Sequence, residues 1–137
     1  MTVHHIARKL GIKAASLYYH APGGKEELFV MVLERSLARH KQGIEDPIKN
    51  SGNDLRARCR GIINWFLSQG PLGYLRLLMS DFAGLEPETS KRLRSLTENS
   101  LIQPICGLFE EARERGEIEV SQPQLMAGSL LSMVDGI

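Results

Sequence analysis

Apolar side chains recur at three- and four-residue spacing along almost the whole chain, and this periodicity admits one class of structure. Leu55, Cys59, Ile62, Ile63 and Phe66 fall at i, i+4, i+7, i+8 and i+11, one stripe of a helix begun by Asn53 or Asp54. Leu72, Leu75, Leu78, Met79 and Phe82 make a second stripe after Pro71. A longer one runs through Leu93, Leu96, Leu101, Ile105, Leu108 and Ala112, and stops where Gly116 offers a C-cap behind Arg113 and Arg115. Pro104 removes a backbone donor inside that stretch, which predicts a kink near Ser100. Gln124 to Val134 is apolar on more than one face. Glycine and proline punctuate the pattern at 22–24, 43–53, 70–73, 84–87 and 116–123. Strand-like alternation, internal repeats and low-complexity tracts are missing. The expected fold class is all-α.

With 137 residues, 42% of them hydrophobic and 24% charged, the chain is apolar enough to bury a core without staples. Cys59 and Cys106 lie too far apart for a zinc motif, and two cysteines make no disulfide framework. That usage suits a reducing cytoplasm. No apolar run approaches bilayer length and no signal peptide is visible, so neither a membrane nor a secretory route is expected.

The net charge of +1 hides an asymmetry. Residues 1–25 carry Arg8, Lys9, Lys13 and Lys25, three histidines and no acid. Residues 1–44 balance at +4, with seven Lys and Arg against three acids, and residues 45–137 balance at −3. A basic end on a mildly acidic body fits a polyanion-binding head, because each phosphate contact releases counterions. It also fits an ordinary solvated face. Charge by itself leaves both readings standing.

The basic end has a pattern of its own. Thr2 is a good N-cap, Val3, Ile6, Ala7 and Leu10 follow at helical spacing, and Gly11 closes the helix. A short second helix is expected from about Ala14 to His20. Helix, glycine turn and short helix is helix-turn-helix geometry, which lays the second helix in the major groove of DNA. Lys13, Ala15, Ser16, Tyr19 and His20 would face outward from it, and their donors suit phosphates and base edges. An ordinary helical hairpin is the competing reading.

Ile6-Ala7, Gly11, Leu17-Tyr18-Tyr19-His20 and Lys25-Glu26-Glu27-Leu28 together resemble the signature of the TetR (tetracycline-repressor-like) family of bacterial transcriptional regulators. The resemblance covers about 28 residues, and the body echoes the family only in its arginine-rich run before Gly116 and in Val134-Asp135-Gly136. It implies that Thr2, Tyr18, Tyr19, His20 and Lys25 hold phosphates while Lys13, Ala14, Ala15 and Ser16 face base edges. It also implies two regions. Residues 1–42 would form the helix-turn-helix region with the start of a connecting helix, and 43–137 a ligand-binding and dimerisation bundle. Three departures stand out. The family's first helix would lie before Met1 and its final helix beyond Ile137. Ala21 stands where the family has a large aromatic, and Pro22-Gly23-Gly24 is one residue longer than the usual loop.

The expected function is therefore a homodimeric regulator, a repressor released by a small-molecule effector, bound to a near-palindromic double-stranded DNA operator. The alternative is a helical dimerisation or ligand-binding protein that does not bind DNA. Trp65, Phe66, Leu78, Met79, Phe82 and Leu108 are candidates to line an effector pocket, although at helical spacing they serve equally as core. Motifs for metalloprotease, phosphate-loop, nucleophile-elbow and dinucleotide chemistry are missing, so neither an enzyme nor a cofactor is expected. His4 and His5 are adjacent and point about 100° apart on a helix, which suits no shared metal ion. His40 is isolated in sequence, and a solvated or phosphate-adjacent place is expected for all three. Cys59 is expected to be a buried, inert thiol.

Overall fold

The structure, a computed structural model, describes residues 24–69 and 81–135. Every regular element among them is helical. Helix α1 spans Lys25–Asn50, α2 Leu55–Gln69, α3 Pro87–Thr97, α4 Gln103–Glu114 and α5 Pro123–Asp135. A single 3-10 turn, Phe82–Gly84, precedes α3, and a π-turn, Glu98–Ile102, joins α3 to α4. The Phe82 end of the second apolar stripe thus lies in a turn, and the rest of that stripe falls outside the described residues.

Helix α1 is the spine. Its apolar face, Leu33, Leu37 and Ile44, is buried, and α2, α3, the π-turn and α4 all pack against it. Gly43 and Pro47 were expected to punctuate the chain, yet α1 runs through both. The reason is tertiary. Trp65 of α2 lies so close over Gly43 that a Cβ there would sit inside its indole ring. One turn on, the roles reverse, and a Cβ on Gly61 of α2 would lie 2.5 Å from Pro47 Cβ. Each helix supplies one ring and one glycine, and the two pairings run in opposite senses, so α1 and α2 form an antiparallel hairpin held very close.

Asp54 caps α2, its Oδ1 accepting the N–H of Arg56 at 3.0 Å and of Ala57 at 3.4 Å. At the same end of the bundle α4 closes on Gly116, whose φ of 74° is left-handed. The Gly116 N–H donates to the Arg113 carbonyl and the Glu117 N–H to that of Ala112, the paired bonds of a Schellman cap. Glu117 then reaches back to α2. Its Oε1 accepts the Leu55 N–H at 3.0 Å and its Oε2 the Arg115 guanidinium at 2.9 Å. These donors hold the Glu117 carboxyl below the usual carboxylate range. Arg58, 7% exposed, spans the same gap from α2, donating to Glu111 at 3.1 Å and to Asn53 at 3.4 Å.

The π-turn resolves a conflict of phase. Leu93, Thr97, Leu101 and Ile105 are all fully or almost fully buried, at successive spacings of four. Each such step overshoots an ideal α-helical turn by about 40°, so three of them drift roughly 120°. A π-turn takes in one extra residue and winds the stripe back by about 100°. Its signature bond runs from the Gln103 N–H to the Glu98 carbonyl. The disturbance expected from Pro104 near Ser100 takes this form, since proline offers no N–H to Ser100 and a widened turn eases its ring past that carbonyl.

Candidate functional site

Of the residues assigned to DNA by resemblance, Lys25 is described, whereas Thr2, Lys13, Ala14, Ala15, Ser16, Tyr18, Tyr19 and His20 lie outside the described residues. Lys25 is exposed and is the first residue of α1, which begins after Gly24 without a side-chain cap. The first intrahelical turn closes with the Leu28 N–H on the Gly24 carbonyl at 3.1 Å. An ammonium beside the first amides of a 26-residue helix favours an anion. Glu26 and Glu27 share that turn, and one is committed elsewhere: Glu26 Oε1 accepts the Glu86 N–H at 3.3 Å. Arg92 of α3 adds an exposed ion pair to Glu34 of α1 at 3.1 Å. The start of α1 is thereby tied to the start of α3.

The residues proposed for an effector pocket are distributed differently from that expectation. Phe66, Phe82 and Leu108 are 4%, 0% and 1% exposed and belong to one continuous core. Trp65 is half-buried against Gly43, and among the described residues no acceptor reaches its buried Nε1. Leu78 and Met79 lie outside the described residues. The structure therefore packs Phe66, Phe82 and Leu108 as core.

His40 departs from the expectation of solvent. It is 3% exposed, its Nδ1 lies 2.8 Å from the Ser36 carbonyl, and its ring stands edge-on to Trp65 and tilted against Phe66. The sequence carried the signal. Leu33, Leu37, His40 and Ile44 follow one face of α1, so His40 lies on its apolar stripe. Burial pushes the thiols of Cys59 and Cys106 up, with Glu117 and Glu110 adding to each in turn. Both are thus poor nucleophiles at neutral pH. Among the described residues, no three His, Cys, Asp or Glu side chains converge on one point.

A groove that sequence reasoning missed lies between the Phe82–Gly84 turn and the outer face of α3. It is shallow and largely open to solvent, with a volume of about 480 Å³. Ala83, Leu85 and Pro87 form its apolar side, and Lys91 and Arg94 of α3 are followed by Glu98 at the start of the π-turn. The Arg94 guanidinium stands 5.5 Å above the centre of the Phe82 ring. The spacing of 91, 94 and 98 on one helix face was readable; the turn that brings Leu85 against it was not.

Helix α5 presents a second unassigned surface. Ala127, Leu131 and Val134 enter the core, while Leu125 is 65% exposed, Met126 42% and Met133 64%. The helix contains no basic residue, and its acid is Asp135 at the end. The apolar residues of α4, among them Ile105 and Leu108, are by contrast buried in the core. Among the described residues no helix is long and apolar enough to cross a membrane. No family model, curated protein or solved structure matches the chain.

Proposed function

We propose that this chain is a TetR-like DNA-binding transcriptional regulator without enzymatic activity, working as a homodimer on a near-palindromic operator and released by a small-molecule effector. The observation that carries the reading is α1. It opens with Lys25, directly after the basic segment whose sequence resembles a helix-turn-helix, and runs for 26 residues through the bundle. At 1.5 Å per residue this is a rod of roughly 39 Å. A rod packed into the core from Leu28 to Ile44, with the proposed DNA-reading segment joined to its first residue, passes rearrangement of the body on to that segment. Two such segments must stand about 34 Å apart to read successive major-groove faces, so a ligand favouring another separation weakens binding.

Fluorescence anisotropy with labelled promoter fragments tests the reading. Lys25→Ala weakens binding to all sequences and makes the salt dependence shallower by about one unit, as expected for one lost phosphate contact. Ser16→Ala and Lys13→Ala instead relax preference at one or two base pairs, each by roughly 1–3 kcal/mol. Binding of promoter fragments no tighter than random duplex returns the chain to the alternative, a dimerisation module without DNA.

The outer face of α5 supports pairing of two copies, since Leu125, Met126 and Met133 form an apolar patch with no basic residue near it on the helix. Sedimentation at tens of micromolar should give a dimer. Leu125→Glu with Met133→Glu should give a folded monomer, because neither side chain contributes to the protomer core.

A further inference from the structure

The outer face of the α1–α2 hairpin carries a row of cations that the bundle leaves without partners. Arg35, Arg39 and Lys49 of α1 and Arg56 and Arg60 of α2 are exposed, and their side chains form no ion pair or hydrogen bond among the described residues. By helical period they lie on the sides of the two helices turned from the buried Leu37, Ile44 and Ile62. Acids are scarce there. Helix α2 contains none, and on α1 Asp46 shares the face, its Oδ1 accepting from the Gln42 amide at 2.6 Å. The close pairs of Gly43 with Trp65 and of Pro47 with Gly61 fix the register, so Arg39 stands level with Gln69 and Lys49 with Cys59. At 1.5 Å per residue the row is roughly 25 Å long and falls into two groups. Arg35 and Arg39 form one, and Lys49, Arg56 and Arg60 the other. Along the hairpin roughly 13 Å separates Arg39 from Arg60.

We propose that this face is a surface for duplex DNA, independent of base sequence and additional to the basic segment before α1. Two cationic groups roughly 13 Å apart match the phosphate walls of a major groove about 12 Å wide. Four of the five cations are arginines, whose planar forks suit phosphate oxygens. Like charges four residues apart on a helix repel one another, and a polyanion relieves that repulsion while released counterions drive the binding. An anionic membrane would need more apolar surface than the exposed Leu67 supplies on this face. The surface rests on the regulator reading only for its consequence. Arg35 lies roughly 15 Å along α1 from Lys25, so one chain would hold two stretches of duplex at once. The binding itself stands apart from that reading.

The test uses the whole 137-residue chain and a labelled duplex of random sequence, followed by anisotropy over a range of sodium chloride concentrations. Arg39→Gln and Arg60→Gln should each weaken binding severalfold and flatten the dependence of log Kd on log salt by about one unit, and together by about two. Arg39→Lys should keep the slope, because the charge stays. Lys91→Gln removes the same charge from α3 and should leave the slope as it is. All three positions are exposed, and circular dichroism melting verifies that each variant folds. Slopes in Arg39→Gln and Arg60→Gln equal to that of Lys91→Gln, or no binding of random duplex at low salt, overturn the proposal. So does binding to phosphatidylglycerol vesicles that falls in these two variants while their duplex binding holds. Operator recognition is read separately, as preference for a promoter fragment over random duplex. It can therefore fail while these slopes change, and persist while they do not.

Discussion

Gly43→Ala destabilises the bundle, reversing the sign that the same change has in an exposed helix. Mid-helix alanine is ordinarily better than glycine by about 1 kcal/mol. Here the added Cβ would occupy the place of the Trp65 indole, so either the ring leaves or α1 and α2 separate. Forcing extra volume into a packed site typically costs about 1–3 kcal/mol, enough to exceed the gain in propensity. Urea unfolding followed by circular dichroism checks this in every variant, and the fluorescence of Trp65, the chain's one tryptophan, reports the displacement of the indole where it is present. The double-mutant arm is decisive. In a Trp65→Ala background, Gly43→Ala should become neutral or stabilising. A destabilisation that persists without the indole would show that the close approach to Trp65 is not its cause.

The larger loss belongs to Phe82→Ala. Phe82 is completely buried in a three-residue turn, its ring edge-on to Phe29 at 6.4 Å and beneath the Arg94 guanidinium. Truncation removes the transfer free energy of the ring and leaves a cavity, which for phenylalanine amounts to about 3–5 kcal/mol. Set against a total of roughly 5–15 kcal/mol for a domain, that is a major fraction. Thermal unfolding should fall by roughly 10–20 °C at this chain length. Phe82→Leu should recover most of the loss because it refills much of the volume. A melting temperature within a few degrees of the parent for Phe82→Ala would mean that the site collapses and that the turn is not a fixed part of the core.

These two positions also mark how far the sequence could be read. The cap at Asp54, the stripe of α2 and the stop at Gly116 were legible because each is decided by residues within a turn of one another. Gly43 and Pro47 were read as breaks, since local propensity is all that a glycine or proline displays in sequence. Their partners, Trp65 and Gly61, lie 22 and 14 positions away, and only packing reveals that a small residue was needed there. His40 was misplaced for a similar reason. Histidine in isolation suggests water, whereas its position between Leu37 and Ile44 on one stripe governs its burial. The groove depended on the path of the chain from Phe82 to Leu85, and no period in the sequence encodes that path. The expected DNA contacts other than Lys25 rest on the motif itself.

The π-turn between α3 and α4 has a consequence for how this chain tolerates changes of length. Glu98–Ile102 holds one residue more than an α-helical path needs, and the surplus sits at exposed positions such as Asn99. Removing Asn99 while exchanging Pro104 for alanine converts the segment to plain α-helix. Leu93 and Ile105 then still face the core, because the lost residue and the lost widening compensate. Removing one residue anywhere else in α3 or α4 turns everything beyond it by about 100° and carries buried leucines into water. The stretch from Pro87 to Glu114 thus has one place where a codon can be lost and the register kept.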